Sequence, residues 1–144
     1  MYVVAPIPIP KMRPLLTTIA PQKLLIIDRY LPMPKEYSYI SQEFEENTYA
    51  RLVELLPEIN RYRKVVLFFK DDADYPTGVF NAFNKFVEAH GINGEVQEKY
   101  TSGSIKKNNL YFFISDTFLW EVLRDARNNE YVVGRDIGLS LIHI

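Results

Sequence analysis

The sequence predicts an α/β fold built on a parallel sheet, because a buried strand, a polar loop and an amphipathic helix follow one another twice. The apolar run Lys64–Phe69 leads into a helix that ends near Ala89, and Leu110–Ile114 leads into a helix that ends near Ala126. Strands that alternate with helices are typical of a parallel sheet covered on both faces. Ligands bind such sheets at the carboxyl ends of the strands, so both polar loops are candidate binding positions.

Composition narrows the class of protein. The chain has 144 residues, of which 47% are hydrophobic, and its formal net charge is −1. This length and apolar content indicate one globular domain of ordinary size. The near-neutral charge argues against nucleic-acid binding by this chain alone, because neutralising phosphates needs clustered cations. Since the chain has no cysteine, disulfides and zinc–thiolate sites are excluded.

The start of the chain does not read as a signal peptide, and no apolar run approaches the ~20 residues of a membrane span. We therefore expect a cytoplasmic protein that has no membrane partner. Three short strands are expected in the first third of the chain, at Tyr2–Ala5, Leu24–Ile27 and Ser38–Ile40. The segment Lys11–Ile19 can hold a short helix between the first two.

Two amphipathic helices have clear boundary signals. The first is predicted over Phe44–Tyr62 from apolar residues at i, i+3, i+4 and i+7 spacing, and Pro57 should kink it or end it early. In the second, Pro76 suits the first helical position and Gly91 suits a left-handed cap at the end. A weaker strand, Glu95–Tyr100, and an apolar strand-like run, Asp136–Ile144, complete the expected elements.

Polar residues in the loops after the paired strands could carry function. Asp71, Asp72 and Asp74 could hold Mg²⁺, which prefers carboxylate oxygens, but acidic residues before a helix also complement its dipole. The segment Ser115–Thr117 consists of favoured N-cap residues. Within it, Asp116 could instead accept hydrogen bonds from the hydroxyls of a bound polyol.

The segment Gln42–Glu45 gathers an amide, two carboxylates and an aromatic ring where a third strand ends. As a capping arrangement it is ordinary. Together with Asp71–Tyr75 and Asp116 it also fits the mouth of a site for a polar small molecule.

The order of these segments resembles the effector-binding domain of the lactose-repressor (LacI/GalR) type, a periplasmic-binding-protein-like class I fold, in the variant that bacterial GntR-type regulators carry behind a winged helix. Ser38–Glu46, with the following helix and Lys64–Phe69, is similar to the part of that family that crosses into the second lobe. Tyr75–Gly91 resembles the segment that ends in the helix over the cleft. Leu110–Asp116 resembles a strand and its aspartate, and Gly134–Gly138 the segment that returns to the first lobe.

The resemblance implies a parallel-sheet α/β sandwich with one lobe nearly complete and the other partial. Residues 1–38 would be the partial first lobe, 39–134 the second lobe, and 135–144 a truncated return strand to the first lobe. We expect a fragment that lacks the winged-helix DNA-binding domain. Leu139–Ile144 departs from the family pattern, in which a strand ends in an aspartate, and could be a foreign end.

The resemblance also implies a function: a small-molecule effector, a sugar in the first place, closes the cleft and changes the DNA affinity of a transcription regulator. The implied ligand contacts are Gln42, Phe44, Asp72, Tyr75 and Asp116, without a catalytic residue, a metal or a cofactor. The implied parent is a homodimer that binds DNA only through the missing domain.

One departure and two alternatives stay open. The arginine that many sugar-binding members place before the second-lobe helix is absent, and Tyr75-Pro76 stand there instead. The first alternative function is a magnesium-dependent phosphotransfer or hydrolase domain that uses Asp71, Asp72 and Asp116. A third hypothesis is a plain interaction module that binds no ligand.

Overall fold

Two separate parallel sheets organise the chain. The computed structural model describes residues 1–7, 9–28, 31–70 and 75–142, and they divide into two units, Met1–Glu43 and Phe44–Ile144. The first sheet has three strands in the order β1-β2-β3, and the second has four in the order β5-β4-β6-β7. Every described strand pair is parallel, as the alternation of strands and helices predicts.

The first unit is a small sheet covered by a short helix. Its elements are β1 (Tyr2–Val4), α1 (Met12–Leu16), a 3₁₀ turn (Pro21–Lys23), β2 (Leu24–Asp28) and β3 (Ser38–Ser41). Its buried core consists of Leu16, Leu24, Ile26 and Tyr37. The Tyr37 hydroxyl donates to the carbonyl of Ile19 over 2.8 Å, which fixes the segment between α1 and β2.

The second unit alternates strands and helices over a larger sheet. Its elements are α2 (Phe44–Glu54), α3 (Leu56–Ile59), β4 (Lys64–Phe68), α4 (Thr77–His90), β5 (Gly94–Gln97), β6 (Asn109–Phe113), α5 (Leu119–Asn128) and β7 (Gly138–Leu141). Within the described ranges no helix is long and apolar enough to cross a membrane.

Both faces of the second sheet are covered, because successive strand side chains point to opposite sides. Val65 and Leu67 of β4 belong to the core that contains Phe83 of α4. Val66 and Phe68 belong to the other core, together with Val122 and Ala126 of α5. The strands β4 and β6 are therefore buried on both faces, which explains their continuous apolar sequence.

The helix boundaries follow the local signals in the sequence. The long helix expected before β4 is broken into α2 and α3, and Pro57 lies in the first turn of α3, where its missing N–H costs no hydrogen bond. Gly91 caps α4 with a left-handed φ of 62°, as predicted. Pro76 is the N-cap residue of α4 and precedes the first helical position that we expected for it.

The structure differs from the expected domain division at two points. Strand β7 pairs with β6 inside the second sheet, whereas we expected residues 135–144 to be a return strand to the first lobe. Strand β3 pairs with β2 in the first sheet, and the first unit extends to Glu43 instead of ending at residue 38. An apolar run predicts a strand, but it does not specify which sheet the strand joins.

Candidate functional site

The loops after β4 and β6 leave the second sheet side by side. These strands are neighbours, with Phe68 opposite Phe113, and β4 continues into α4 on one face while β6 continues into α5 on the other. The chain thus leaves adjacent strands in opposite directions, which is the switch point where open α/β sheets bind ligands. We call this end of the sheet the carboxyl edge.

Tyr75 and Ser115 meet at the carboxyl edge. The Tyr75 hydroxyl donates to Ser115 Oγ over 3.4 Å, and the Tyr75 ring packs edge-on against Phe69 with 5.8 Å between centroids. Ser115 Oγ in turn donates to Thr117 Oγ1 over 2.9 Å and accepts from the backbone N–H of Thr117 over 3.3 Å. Three hydroxyl groups therefore form a chain that joins the loop before α4 to the loop before α5.

Asp116 lies between the two hydroxyl-bearing residues of its loop, and its side chain is exposed. It does not cap α5, because that helix begins at Leu119, its N-cap residue is Phe118, and no side-chain hydrogen bond caps it. The capping interpretation of Ser115–Thr117 is therefore wrong. The Asp116 carboxylate is left as an exposed acceptor beside the hydroxyl chain.

A second polar pair lies at the carboxyl end of β2, in the first unit. Gln42 Nε2 donates to Asp28 Oδ1 over 3.2 Å, and the Gln42 backbone N–H donates to the Asp28 carbonyl over 3.1 Å. Asp28 has a φ of 74°, a conformation that Asp tolerates better than most residues and that is often found at functional sites. We predicted Gln42 but missed Asp28, which the end of the apolar run at Asp28-Arg29 could have indicated.

Two further residues were predicted to contact a ligand, Phe44 and Asp72. Phe44 is half-buried and packs against the core beside α4 of the second unit, so packing already explains its apolar side chain. Its neighbour Glu45 accepts a hydrogen bond from Asn81 Nδ2 over 3.2 Å, which ties the start of α2 to α4. Asp72 lies outside the described residues, as do Asp71 and Asp74.

A buried ionisable pair lies outside the carboxyl edge. Asp125 Oδ2 accepts from the Tyr100 hydroxyl over 2.5 Å and from the Gly103 backbone N–H over 2.6 Å. These hydrogen bonds, that of Gly103 first, hold the pKa of Asp125 below its ordinary value. Burial and the neighbouring Asp125 carboxylate raise the pKa of Tyr100. The pair fixes the turn around Gly103.

Metal-binding chemistry has little support in the described part of the chain. No group of three or more histidine, aspartate or glutamate side chains there could hold a metal ion. Asp71 and Asp72, on which the magnesium alternative depends, are outside that part. The chemistry that the described carboxyl edge offers is hydrogen bonding by hydroxyls and a carboxylate.

The chain resembles known proteins in its fold, but no match was found from its sequence. No protein-family model matches the chain, and no curated protein matches its sequence. A sugar-binding LacI-family transcriptional regulator from Escherichia coli, solved with phosphate, is similar with a TM-score of 0.69 at 11% identity, over 99% of this chain and 56% of that chain.

Two further solved structures have the same architecture. A LacI-family transcriptional regulator from Lactobacillus casei with bound glucose has a TM-score of 0.58 at 17% identity, over 83% of this chain and 50% of that chain. An uncharacterized protein from Actinobacillus succinogenes has a TM-score of 0.66 at 13% identity, over 89% of this chain and 52% of that chain. The chain thus spans about half the length of these proteins, and it has the parallel-sheet α/β fold of LacI-family, periplasmic-binding-protein-like domains.

Proposed function

We propose that this chain is part of the effector-binding domain of a bacterial transcription regulator, and that the carboxyl edge of its second sheet contacts the effector. The observation that carries this proposal is the hydrogen bond between Tyr75 and Ser115 at the switch point, beside the exposed carboxylate of Asp116. The likeness to regulators of the LacI family supports the proposal at the level of the fold.

The chemistry of the edge favours a small polyhydroxylated effector, a sugar in the first place. Hydroxyl groups both donate and accept, so Tyr75, Ser115 and Thr117 can exchange their mutual hydrogen bonds for bonds to a polyol. The Asp116 carboxylate accepts hydrogen bonds from ligand hydroxyls, and such charge-assisted bonds are stronger than neutral ones. Two of the similar structures, both of one Lactobacillus casei regulator, hold glucose and sucrose, which makes these two sugars suitable probes.

In the first unit, Asp28 and Gln42 offer a comparable polar pair at the carboxyl end of β2. Gln42 contacts both the carbonyl and the carboxylate of Asp28, whose backbone has a left-handed conformation. Gln42 remains a proposed ligand contact of the first unit, and the proposal for the carboxyl edge of the second sheet does not depend on it.

The regulator would work by binding, without bond-making chemistry. A ligand that binds one conformation of the parent better than another shifts the population toward that conformation. DNA binding would belong to a winged-helix domain outside this chain, as in GntR-type regulators, and the parent would be a homodimer.

Calorimetric titration of this chain with glucose and with sucrose tests the proposal. We expect one of the two sugars to bind with a dissociation constant in the micromolar to millimolar range, and Asp116→Ala to weaken binding about tenfold, the loss of one charge-assisted hydrogen bond of ~1.4 kcal/mol. Glu88→Ala is the matched control, because it removes an exposed carboxylate near the opposite end of α4. Equal losses in the two variants, or no binding of either sugar, would contradict the proposal.

A further inference from the structure

Phe69 is a buried aromatic residue at the carboxyl edge, one position beyond the end of β4. Its N–H donates to the carbonyl of Gln97 on β5 over 2.9 Å, so its backbone is fixed to two neighbouring strands. Its side chain is 6% exposed and belongs to the core on the α4 side of the sheet. Phe69 is therefore a rigid point against which other side chains at the carboxyl edge can be placed.

Two aromatic rings pack on the ring of Phe69. The Phe80 ring of α4 lies 5.0 Å from it between centroids, at an interplanar angle of 33°. The Tyr75 ring lies 5.8 Å from it at an interplanar angle of 81°, which is the edge-to-face arrangement that aromatic pairs prefer. The Phe69 ring thus connects the side chain of Tyr75 to helix α4 and to the core beneath it.

The Tyr75 ring is held more firmly than its hydroxyl. The hydrogen bond from this hydroxyl to Ser115 Oγ measures 3.4 Å, and it restrains the phenol weakly because O–H···O bonds are usually about 2.5–3.0 Å long. A group that binds a ligand must be held within about 0.5 Å of its productive position. The placement of the Tyr75 hydroxyl therefore depends on the packing of its ring against Phe69.

We propose that Phe69 is a positioning residue, which holds the Tyr75 ring so that its hydroxyl meets the effector at the carboxyl edge. This inference rests on the proposed function, because it assigns the Tyr75 hydroxyl to the effector. A branched apolar side chain would also fill the core at this position, but it offers Tyr75 no edge-to-face contact. Phe69 thus acts on binding through Tyr75 and does not itself touch the ligand.

A double-mutant cycle on the affinity for glucose and for sucrose tests this role. Phe69→Leu should weaken the binding of the sugar that the chain binds about two- to tenfold. In the Tyr75→Phe background the same substitution should weaken binding less than about twofold, because the hydroxyl that Phe69 positions is already absent. Phe80→Leu, at a less buried position, should show the same dependence on the Tyr75 hydroxyl. Phe86→Leu is the control, since it removes a ring of the same core that packs on Tyr49, and it should leave the affinity unchanged.

A measurement without ligand distinguishes failure of this inference from failure of the proposed function. In NMR spectra, the nuclear Overhauser effect between the Tyr75 ring protons and the Ser115 β protons should be lost in Phe69→Leu and kept in Phe86→Leu. The inference alone is overturned if the chain binds a sugar but this contact survives Phe69→Leu, or if Phe69→Leu weakens binding equally with and without the Tyr75 hydroxyl. If the wild-type chain binds neither sugar, the proposed function is wrong, and the role of Phe69 in effector binding falls with it.

Discussion

The Tyr100 hydroxyl donates to Asp125 Oδ2 over 2.5 Å, and this buried contact joins the loop after β5 to the middle of α5. The carboxylate also accepts from the Gly103 N–H, so the Asp125 side chain binds both Tyr100 and the turn around Gly103. A second tyrosine, Tyr111 of β6, accepts from the Lys106 N–H over 2.8 Å and fixes the far end of the same loop. The irregular segment between β5 and β6 is therefore tied down at several points.

Removing the Tyr100 hydroxyl should destabilise the protein. Tyr100→Phe deletes a hydrogen bond to a buried charged group, and we expect the free energy of unfolding to fall by ~1.5–3 kcal/mol at neutral pH. Urea unfolding followed by circular dichroism measures this loss. Tyr131→Phe is the control, because it also removes a phenol hydroxyl, from a ring that lies under the Lys107 ammonium.

The size of that loss should depend on pH. Because the folded pKa of Asp125 is depressed, its contribution to stability is present above the ordinary carboxyl pKa and is lost as the pH falls through the folded value. The difference between wild type and Tyr100→Phe should therefore be largest at about pH 5 and above, and should shrink in more acidic solution. A difference that stays constant or grows on acidification would contradict this assignment.

Gly78 sets how closely α4 approaches α2. A Cβ at this position would lie 2.9 Å from the backbone nitrogen of Glu45 and 3.1 Å from Phe44 Cβ. Helix propensity alone would make Gly78→Ala stabilising by ~1 kcal/mol, but the clash with backbone should dominate and cost ~1–3 kcal/mol. Thermal unfolding shows whether Gly78→Ala raises or lowers the melting temperature, and we expect it to be lower. Thr77→Ala, at an exposed neighbouring position, should change the melting temperature little.

Asp116 should contribute little to stability. Its carboxylate makes no side-chain cap of α5, so Asp116→Ala should lower the free energy of unfolding by less than ~0.5 kcal/mol, in contrast to the ~1 kcal/mol typical of a lost N-cap. Chemical denaturation of the variant measures the change. A loss of 1 kcal/mol or more would mean that the Asp116 side chain has a structural role. Its exposed carboxylate would then no longer support a ligand contact at this position.

The two units should differ in hydrogen exchange. In the second unit β4 and β6 are buried on both faces, whereas in the first unit Val3 of β1 is 55% exposed and Ile40 of β3 is 66% exposed. Amides of β4 and β6 should therefore exchange at least tenfold more slowly than those of β1 and β2, because they open only with larger unfolding events. Native-state exchange monitored by NMR tests this. Equal protection would show that the small sheet is as stable as the large one.

Much of the fold could be predicted from the sequence because its signals are local. The strands β2, β4 and β6 are apolar runs, Pro57 breaks the first long helix, and Gly91 ends α4 at the position that a left-handed cap requires. The sheet to which β7 belongs could not be predicted in this way. That depends on which neighbour buries Ile137 and Leu139, a contact between distant parts of the chain.

The candidate site was predictable only in outline. The rule that ligands bind at strand carboxyl ends led to Tyr75 and Asp116, but it did not identify the link from Tyr75 to Ser115, which spans 40 residues. Asp28 was missed because a positive φ is a property of the folded backbone. Phe44 was selected as a contact although its packing against the core accounts for it.

The proposed effector contact is tested most directly by locating the amide shifts that sugars induce in ¹⁵N-resolved NMR spectra of this chain. During titration with glucose and sucrose, we predict that the largest amide shifts occur at Tyr75, Ser115 and Thr117, and that Tyr75→Phe reduces the affinity several-fold. Residues near Glu88 and along β7 should shift least. Saturable shifts that avoid the carboxyl edge, or no saturable shift with either sugar at 20 mM, would contradict the claim that this edge contacts the effector.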